Sequence, residues 1–170
     1  EQFDPLPDEV RRFLTGSAVL REMDAASLNE ILDTGDAEDM LDYLAQRNLL
    51  RPPAGPGVRY HRLFRAFLVS YLRNNDHQRF LDLNLRAGAL REKAGDWGEA
   101  VYHYIQARAW ERIVAIADHV GWRFFEEGRW DTLADWMDAI PPGELSRQPK
   151  LLLWKARILH YLNQVDKALS

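Results

Sequence analysis

The stretch from Val58 to Leu72 constrains the fold of this chain more than any other, because its pattern changes from strand to helix within a few residues. Val58–Tyr60 follow a run rich in proline and glycine, and from Arg62 onward apolar residues recur at helical spacing. Six apolar residues predict one broad buried face on this helix; they are Leu63, Phe64, Phe67, Leu68, Tyr71 and Leu72. The stretch therefore predicts a strand that leads directly into an amphipathic helix.

Three shorter helical patterns precede this stretch, and two predicted strands surround a proline- and glycine-rich loop. The helices are expected over Asp8–Gly16, from Ser27 to Gly35, and from Asp36 through Leu44. Ser27 with Glu30 three residues later fits a capping box, which would begin the second helix there. Arg47–Arg51 and Val58–Tyr60 are expected to pair as a hairpin around residues 52–57. Three helices, a two-stranded wing and a closing helix predict a winged-helix domain over residues 1–75.

From His77 onward the sequence shows helix after helix with a regular spacing of turns. Turn-forming residues at Gly95, Gly128 and Asn163 stand 33 and 35 residues apart. This is the period of tetratricopeptide-type helical hairpins, which bury their apolar faces by stacking on neighbours. We therefore predict a mainly α chain, with a winged-helix domain followed by a tetratricopeptide-like, right-handed helical-repeat array over residues 76–170. The pair beginning at Asn163 is incomplete, so the array is expected to be truncated at its C-terminus and to continue in a longer parent protein.

The composition narrows the class of protein without defining a function. The 170 residues are 46% hydrophobic and 28% charged, and the formal net charge is −4, so no general attraction to nucleic acid or anionic membranes is expected. Cysteine is absent from the sequence, which excludes disulfides, thiolate chemistry and cysteine-based zinc sites. No apolar run approaches the roughly 20 residues that span a bilayer. We expect a cytoplasmic protein with no membrane partner.

The sequence contains no recognisable catalytic constellation, and no enzyme activity is predicted. It has neither a phosphate-binding P-loop motif nor a dinucleotide-binding glycine motif. Among the histidines no two stand three or four residues apart on one helix, which argues against a local metal site. The tryptophans stand at helical spacing, where packing between helices is favoured over a ligand groove.

The second and third helices of the predicted winged helix argue against DNA binding. From Asp24 to Asp42 they carry carboxylates and no basic residue; the carboxylates are Asp24, Glu30, Asp33, Asp36, Glu38, Asp39 and Asp42. A recognition helix must approach DNA phosphates, which would repel these groups. We expect an internal coupling domain that does not bind DNA directly.

His61 is the candidate binding residue, because it lies where the predicted strand passes into the amphipathic helix. Its ring is expected near the helix N-terminus, where backbone N–H groups favour an anion. No acidic residue occurs between Asp42 and Asp76, whereas six arginines do: Arg47, Arg51, Arg59, Arg62, Arg65 and Arg73. This setting is compatible with a phosphate at His61. The alternative is a helix with a solvated basic side and a hydrogen-bonded histidine.

Several motifs occur in an order that resembles one known family. They are Leu6–Leu14 with Ser17–Leu20, Leu41–Leu49, Arg59–Leu68, Ala87–Leu90, Gly95–Val101, Gly128–Trp130 and Ile140–Leu145. In this order they resemble the large LuxR-type transcriptional activators of the maltose-activator kind, which are signal-transduction ATPases with numerous domains. The resemblance covers most of the chain. It implies a bacterial regulator in which an ATPase domain precedes a winged helix, a helical-repeat sensor and a C-terminal DNA-binding domain.

The resemblance also implies a role for His61. This residue is similar to the histidine of the Met-His-Asp motif in related nucleotide-switch ATPases, which contacts the β-phosphate of bound ADP and holds the resting state closed. Tyr60 replaces the methionine of that motif and Arg62 replaces its aspartate, so His61 is the only residue carried over. Its contact would require the upstream ATPase domain. No cofactor is therefore expected in this fragment alone, whereas ATP or ADP is expected for the full-length protein.

The resemblance implies that the chain is a non-catalytic regulatory and sensor fragment of an ATP-dependent bacterial transcriptional regulator. The winged helix would couple nucleotide state to signal binding by the helical repeats. The expected partners are the upstream ATPase domain, further repeats of the parent protein, and a small-molecule or protein inducer. The alternative function is a helical-repeat scaffold for protein–protein interaction with no nucleotide link.

Overall fold

The computed structural model describes residues 6–51 and 57–169, with side chains described as far as residue 162. Expectations for residues 1–5 and for the loop of residues 52–56 lie outside this part of the chain. Within it the protein is mainly α-helical with one two-stranded sheet, as predicted. The chain divides into two compact units, Glu1–Leu90 and Arg91–Ser170. The domain boundary after residue 75 stays a prediction, while the first compact unit extends to Leu90.

The first unit contains four helices, the sheet and most of a fifth helix. Its elements in chain order are α1 (Asp8–Ser17), α2 (Ala25–Leu32), α3 (Ala37–Gln46), β1 (Leu50–Arg51), β2 (Arg59–Tyr60), α4 (Arg62–Asn75) and α5 (His77–Lys93). The two strands pair antiparallel, with Leu50 opposite Tyr60. Helices α1 to α4 each contribute fully buried leucines to one core, namely Leu14, Leu28, Leu44 and Leu68. The arrangement is the predicted winged helix.

The first strand of the wing is shorter than predicted. Only Leu50–Arg51 of the expected Arg47–Arg51 strand pairs with Arg59–Tyr60. The preceding residues belong to the end of α3, because Arg47 is its C-cap and Asn48 has a φ of 57°. Asparagine tolerates this left-handed conformation better than most residues, so the chain turns there before it can extend.

A third extended segment, which the sequence pattern does not predict, joins the wing at Met23. Met23 and Val58 exchange two backbone hydrogen bonds, each 2.8 Å long. The adjoining Gly57 has a φ of 110°, and a Cβ at this position would lie 2.6 Å from the Met23 carbonyl oxygen. Only glycine fits both the conformation and the close approach, so Gly57 permits the pairing.

The capping box predicted at Ser27 is wrong. The cap of α2 is Asp24, whose carboxylate accepts hydrogen bonds from the Ser27 backbone N–H at 2.8 Å and from the Ser27 hydroxyl at 2.7 Å. Helix α2 therefore begins at Ala25. It ends at Leu32 and not at Gly35, because Asp33 adopts the left-handed conformation with a φ of 56°.

The single broad buried face predicted for α4 is also wrong. Leu68 and Leu72 are buried, but Leu63 is 69% exposed and Phe67 is 47% exposed. Arg65, which was expected on a solvated side, instead donates from Nε to the Leu20 carbonyl at 3.0 Å and from Nη2 to the Val19 carbonyl at 2.9 Å. The backbone carbonyls of the turn after α1 need hydrogen-bond donors, and the Arg65 guanidinium supplies them. This side of α4 therefore faces the turn and not the solvent.

The second unit consists of helices within the residues that the structure describes. After the end of α5 they are α6 (Trp97–Gln106), α7 (Trp110–Glu126), α8 (Trp130–Asp138), α9 (Pro142–Leu145) and α10 (Pro149–Leu169). Gly95 and Gly128 have φ values of 76° and 73° just after α5 and α7, which confirms these two predicted turns. The turn predicted at Asn163 is wrong, since α10 continues through it without a glycine or proline to stop it. A tetratricopeptide-like arrangement stays a prediction.

Helices α7 and α10 approach closely where Gly121 faces Trp154. A Cβ at position 121 would lie 2.9 Å from the Cζ2 and Cη2 atoms of the indole. The indole Nε1 donates to Asp118 at 3.4 Å, and the Lys150 ammonium donates to the same carboxylate at 2.6 Å. The Lys150 hydrogen bond holds the pKa of Asp118 below its ordinary value. An aromatic contact and a polar cluster therefore join the two helices.

Candidate functional site

His61 lies at the N-terminus of α4, as the sequence predicts. It is the N-cap of the helix, it is exposed, and its Nδ1 accepts a long hydrogen bond of 3.4 Å from the Leu63 backbone N–H. Because Nδ1 is the acceptor, the proton of a neutral imidazole lies on Nε2. An exposed N–H donor thus stands at the positive end of a helix dipole.

Tyr60 anchors the backbone next to His61. Its side chain is 4% exposed, and its hydroxyl forms a hydrogen bond of 2.7 Å with the Ser17 hydroxyl. The ring meets the Phe64 ring edge to face, with the centroids 5.6 Å apart. Burial raises the pKa of Tyr60, so the phenol stays neutral. The buried Tyr60 on the strand and the half-buried Phe64 on the helix therefore fix the backbone on either side of His61.

The arginines that surround His61 in the sequence do not form one cluster. Arg65 is held by backbone carbonyls, Arg47 stacks on the Tyr43 ring at 3.5 Å, and Arg73 lies 4.7 Å from the Phe80 ring centroid. The exposed remainder is Arg51, Arg59 and Arg62. Arg51 and Arg59 stand opposite each other on the wing, and Arg62 directly follows His61. Three of the six predicted arginines thus lie on the wing or at the first residue of α4.

Leu63 and Phe67 form an exposed apolar surface next to His61, although the helical pattern predicts both residues on the buried face of α4. Two sets of apolar residues with a spacing of four run along α4: Leu63, Phe67 and Tyr71 on one side, and Phe64, Leu68 and Leu72 on the other. In the second set Leu68 and Leu72 are buried and Phe64 is half-buried, whereas in the first set Leu63 and Phe67 are exposed. The two apolar sets in the sequence of α4 were the signal that one of them could face the solvent.

The remaining sequence expectations concern metals, tryptophans and DNA. Among the described residues no group of three or more His, Asp or Glu is placed to hold a metal ion. Trp136 and Trp154 are buried in the core of the second unit, whereas Trp122 is 58% exposed. Helix α3 exposes Glu38, Asp39 and Asp42, so the acidic surface expected to repel DNA faces solvent. Of the helices described, none is both long enough and apolar enough to cross a bilayer.

The fold and the comparisons agree on the class of the amino-terminal region. Residues 1–80 match the family model of the MalT winged helix domain. The chain is homologous to HTH-type transcriptional regulators of the MalT and AlkS kind. It is 30% identical over 176 residues to the HTH-type transcriptional regulator MalT of Vibrio cholerae serotype O1, an alignment that covers 100% of this chain and 20% of that protein.

A second relative is the HTH-type transcriptional regulator AlkS of Pseudomonas putida. It is 25% identical over 174 residues, which cover 99% of this chain and 20% of AlkS. MalT of Vibrio campbellii is 30% identical over 178 residues, with 100% of this chain and 20% of that protein covered. The chain therefore spans about a fifth of the length of the curated relatives it matches.

Proposed function

We propose that this chain couples the nucleotide state of an ATP-dependent transcriptional regulator to signal binding. In this proposal the winged helix faces a nucleotide-binding ATPase domain of the same regulator, and the helices of the second unit belong to its signal-sensing region. The homology to MalT and AlkS supports a regulator. The observation that carries the proposal is the exposed His61 at the N-terminus of α4.

The geometry at His61 suits a phosphate contact that stabilises a closed state. The exposed imidazole and the basic side chain of Arg62 lie at a helix N-terminus, where negative charge is stabilised. His61 itself supplies only a weak, 3.4 Å interaction to its own helix, so little local structure depends on its ring. A nucleotide phosphate that contacts His61 would favour the closed state by its differential affinity for the two states.

The exposed side of α4 suits the contact with the ATPase domain. Leu63 and Phe67 present apolar surface in the first and second turns of the helix, and the wing presents Arg51 and Arg59. Large exposed apolar side chains rimmed by charges are typical of interaction surfaces. The same side of the domain would thus provide both the phosphate contact and the domain contact.

The test measures ADP affinity by calorimetry in the full-length regulator that contains residues 1–170 and the upstream ATPase domain. We expect His61→Ala to weaken ADP binding and to raise basal activity. His77→Ala is the matched control, because His77 is also exposed and also begins a helix, and it should leave both quantities unchanged. Unchanged ADP affinity and basal activity in His61→Ala would refute the role of His61.

A second candidate function is a helical-repeat scaffold for protein–protein interaction without a nucleotide link. It is favoured by large exposed apolar side chains in the second unit, which include Trp122, Leu153 and Leu159. An absence of ADP binding in the full-length protein would support the scaffold over the nucleotide-linked regulator.

A further inference from the structure

An open cleft of about 420 Å³ lies in the first unit, along α1 and the junction of α4 and α5. Its polar and charged lining includes Asp8, Arg11, Arg12, Thr15, Asp76 and Arg79. No residue of the N-terminal turn of α4 lines it, so it does not include the surface around His61. Two neighbouring clefts also contain Arg12 and Arg79, but acidic residues outnumber basic ones in one of them and equal them in the other. Positive charge predominates in the first cleft alone among these three.

The guanidinium of Arg79 is held in place by α1. Its Nη2 donates to the Arg12 carbonyl oxygen at 2.9 Å, and its Nη1 lies 3.5 Å from the Thr15 hydroxyl oxygen. Gly16 makes room for it, because a Cβ at position 16 would lie 2.9 Å from Nη2. A glycine inside a helix costs stability relative to alanine, and here it admits the arginine. The position of this guanidinium is therefore built into the packing of the two helices.

The charges of the cleft are unevenly matched. Asp8 forms an ion pair with Arg11 at 3.3 Å, and Asp76 accepts a hydrogen bond from the Arg79 backbone N–H at 3.1 Å. Within the part of the chain that the structure describes, neither Arg12 nor Arg79 has a carboxylate at ion-pair distance. Partial burial, followed by the positive charge of Arg12, lowers the pKa of Arg79, while Asp76 acts in the opposite direction. Two guanidinium groups thus repel each other at this cleft.

We propose that this cleft is a binding site for a small oxyanion, a phosphate or a carboxylate group, held by the guanidinium groups of Arg12 and Arg79. Arginine suits this ligand because its planar fork donates two parallel hydrogen bonds to phosphate or carboxylate oxygens. Because α1 already orients the Arg79 side chain in the unbound protein, less side-chain conformational entropy is lost when the anion binds. The bound anion relieves the repulsion between the two arginines.

The experiment titrates the 170-residue protein with inorganic phosphate and, separately, with malonate, at constant ionic strength maintained by chloride. Binding is followed by the backbone amide chemical shifts of Thr15, Asp76 and Arg79. We expect saturable shifts at these residues. Tighter binding of phosphate assigns the site to phosphoryl ligands, and tighter binding of malonate assigns it to carboxylates.

The variant Arg12→Gln removes one exposed guanidinium and leaves the backbone carbonyl that holds Arg79. It should weaken binding about tenfold, as expected for the loss of hydrogen bonds to a charged group. Lys93→Gln removes the same charge from an exposed site on α5 away from the cleft, and it should change the affinity less than about twofold. Shifts that do not saturate, or an equal effect of the two variants, would overturn the proposal, as would binding localised to the amides around Leu63.

Discussion

Gly121 makes the sharpest prediction about the packing of the second unit. In Gly121→Ala the new methyl group would lie 2.9 Å from two atoms of the Trp154 indole and 3.3 Å from a third, Cε2. Trp154 is 6% exposed and its Nε1 is bonded to Asp118, so the ring has little room to move. Overpacking of this kind costs about 1–3 kcal/mol. Alanine regains up to about 1 kcal/mol of helix propensity, which leaves a net destabilisation of about 0–3 kcal/mol.

The matched control is Gly98→Ala in α6. A Cβ at Gly98 would have no neighbouring atom within 4 Å, so only the propensity effect remains. This variant should raise the free energy of unfolding by up to about 1 kcal/mol. The two alanine substitutions are chemically identical, and they should therefore shift stability in opposite directions.

Urea unfolding followed by tryptophan fluorescence measures both effects. All six tryptophans lie from Trp97 to Trp154, so this signal reports on the second unit. With an m-value of about 1 kcal/mol/M, a difference of about 2 kcal/mol between the variants separates their midpoints by about 2 M. Repeating Gly121→Ala in a Trp154→Phe background should remove the penalty, because the smaller ring vacates the space. Equal stabilisation by Gly121→Ala and Gly98→Ala would refute the steric argument.

Three further predictions concern hydrogen bonds and pH. Tyr60→Phe removes the buried hydroxyl that contacts Ser17 and should cost about 1 kcal/mol, measured by thermal unfolding with circular dichroism; an unchanged melting temperature would contradict it. Arg65→Met leaves two carbonyls of the turn after α1 without their donor and should cost about 2–3 kcal/mol in urea unfolding of the first unit, whereas Arg62→Met should be close to neutral. Because the folded-state pKa of Asp118 lies below its ordinary value of 3.8, the stabilisation by Lys150 is present above pH 3.8 and is lost as the pH falls through the folded-state pKa. Lys150→Met should remove this part of the acid dependence, and identical acid-unfolding profiles would refute the link.

The main elements of the fold could be predicted from local patterns. Helical periodicity defined α1, α3, α4 and most of the second unit, and Gly95 and Gly128 stand where the chain requires a positive φ. Caps were less predictable because several residues competed for the same role. Asp24 and Ser27 both qualify as caps of α2, and the structure selects Asp24, whose carboxylate accepts two hydrogen bonds from Ser27.

The candidate site could be predicted only in part. The position of His61 at the start of α4 follows from the strand-to-helix change in the sequence. Which neighbours of His61 are buried and which are exposed does not follow from the sequence. The charged Arg65 is partly buried and the apolar Leu63 is exposed, which is the opposite of what their polarity predicts. Arg65 enters the domain to satisfy carbonyls 45 and 46 residues away, and Leu63 is left at the surface. The helical spacing of residues within α4 cannot predict hydrogen-bond partners that are so distant in the sequence.

The sequence by itself determined the mainly helical class, the winged helix, the turns at two glycines, and the placement of His61 at a helix N-terminus. Each of these depends on interactions within a few residues, such as helical periodicity and backbone conformation. Only the tertiary structure decided which of the two apolar sets on α4 is buried and how Arg79 reaches across α1. These features depend on contacts between residues far apart in the chain, as between Arg79 and Arg12, which are 67 residues apart. Periodicity shows that a helix has an apolar side, but packing against its partners decides which side that is.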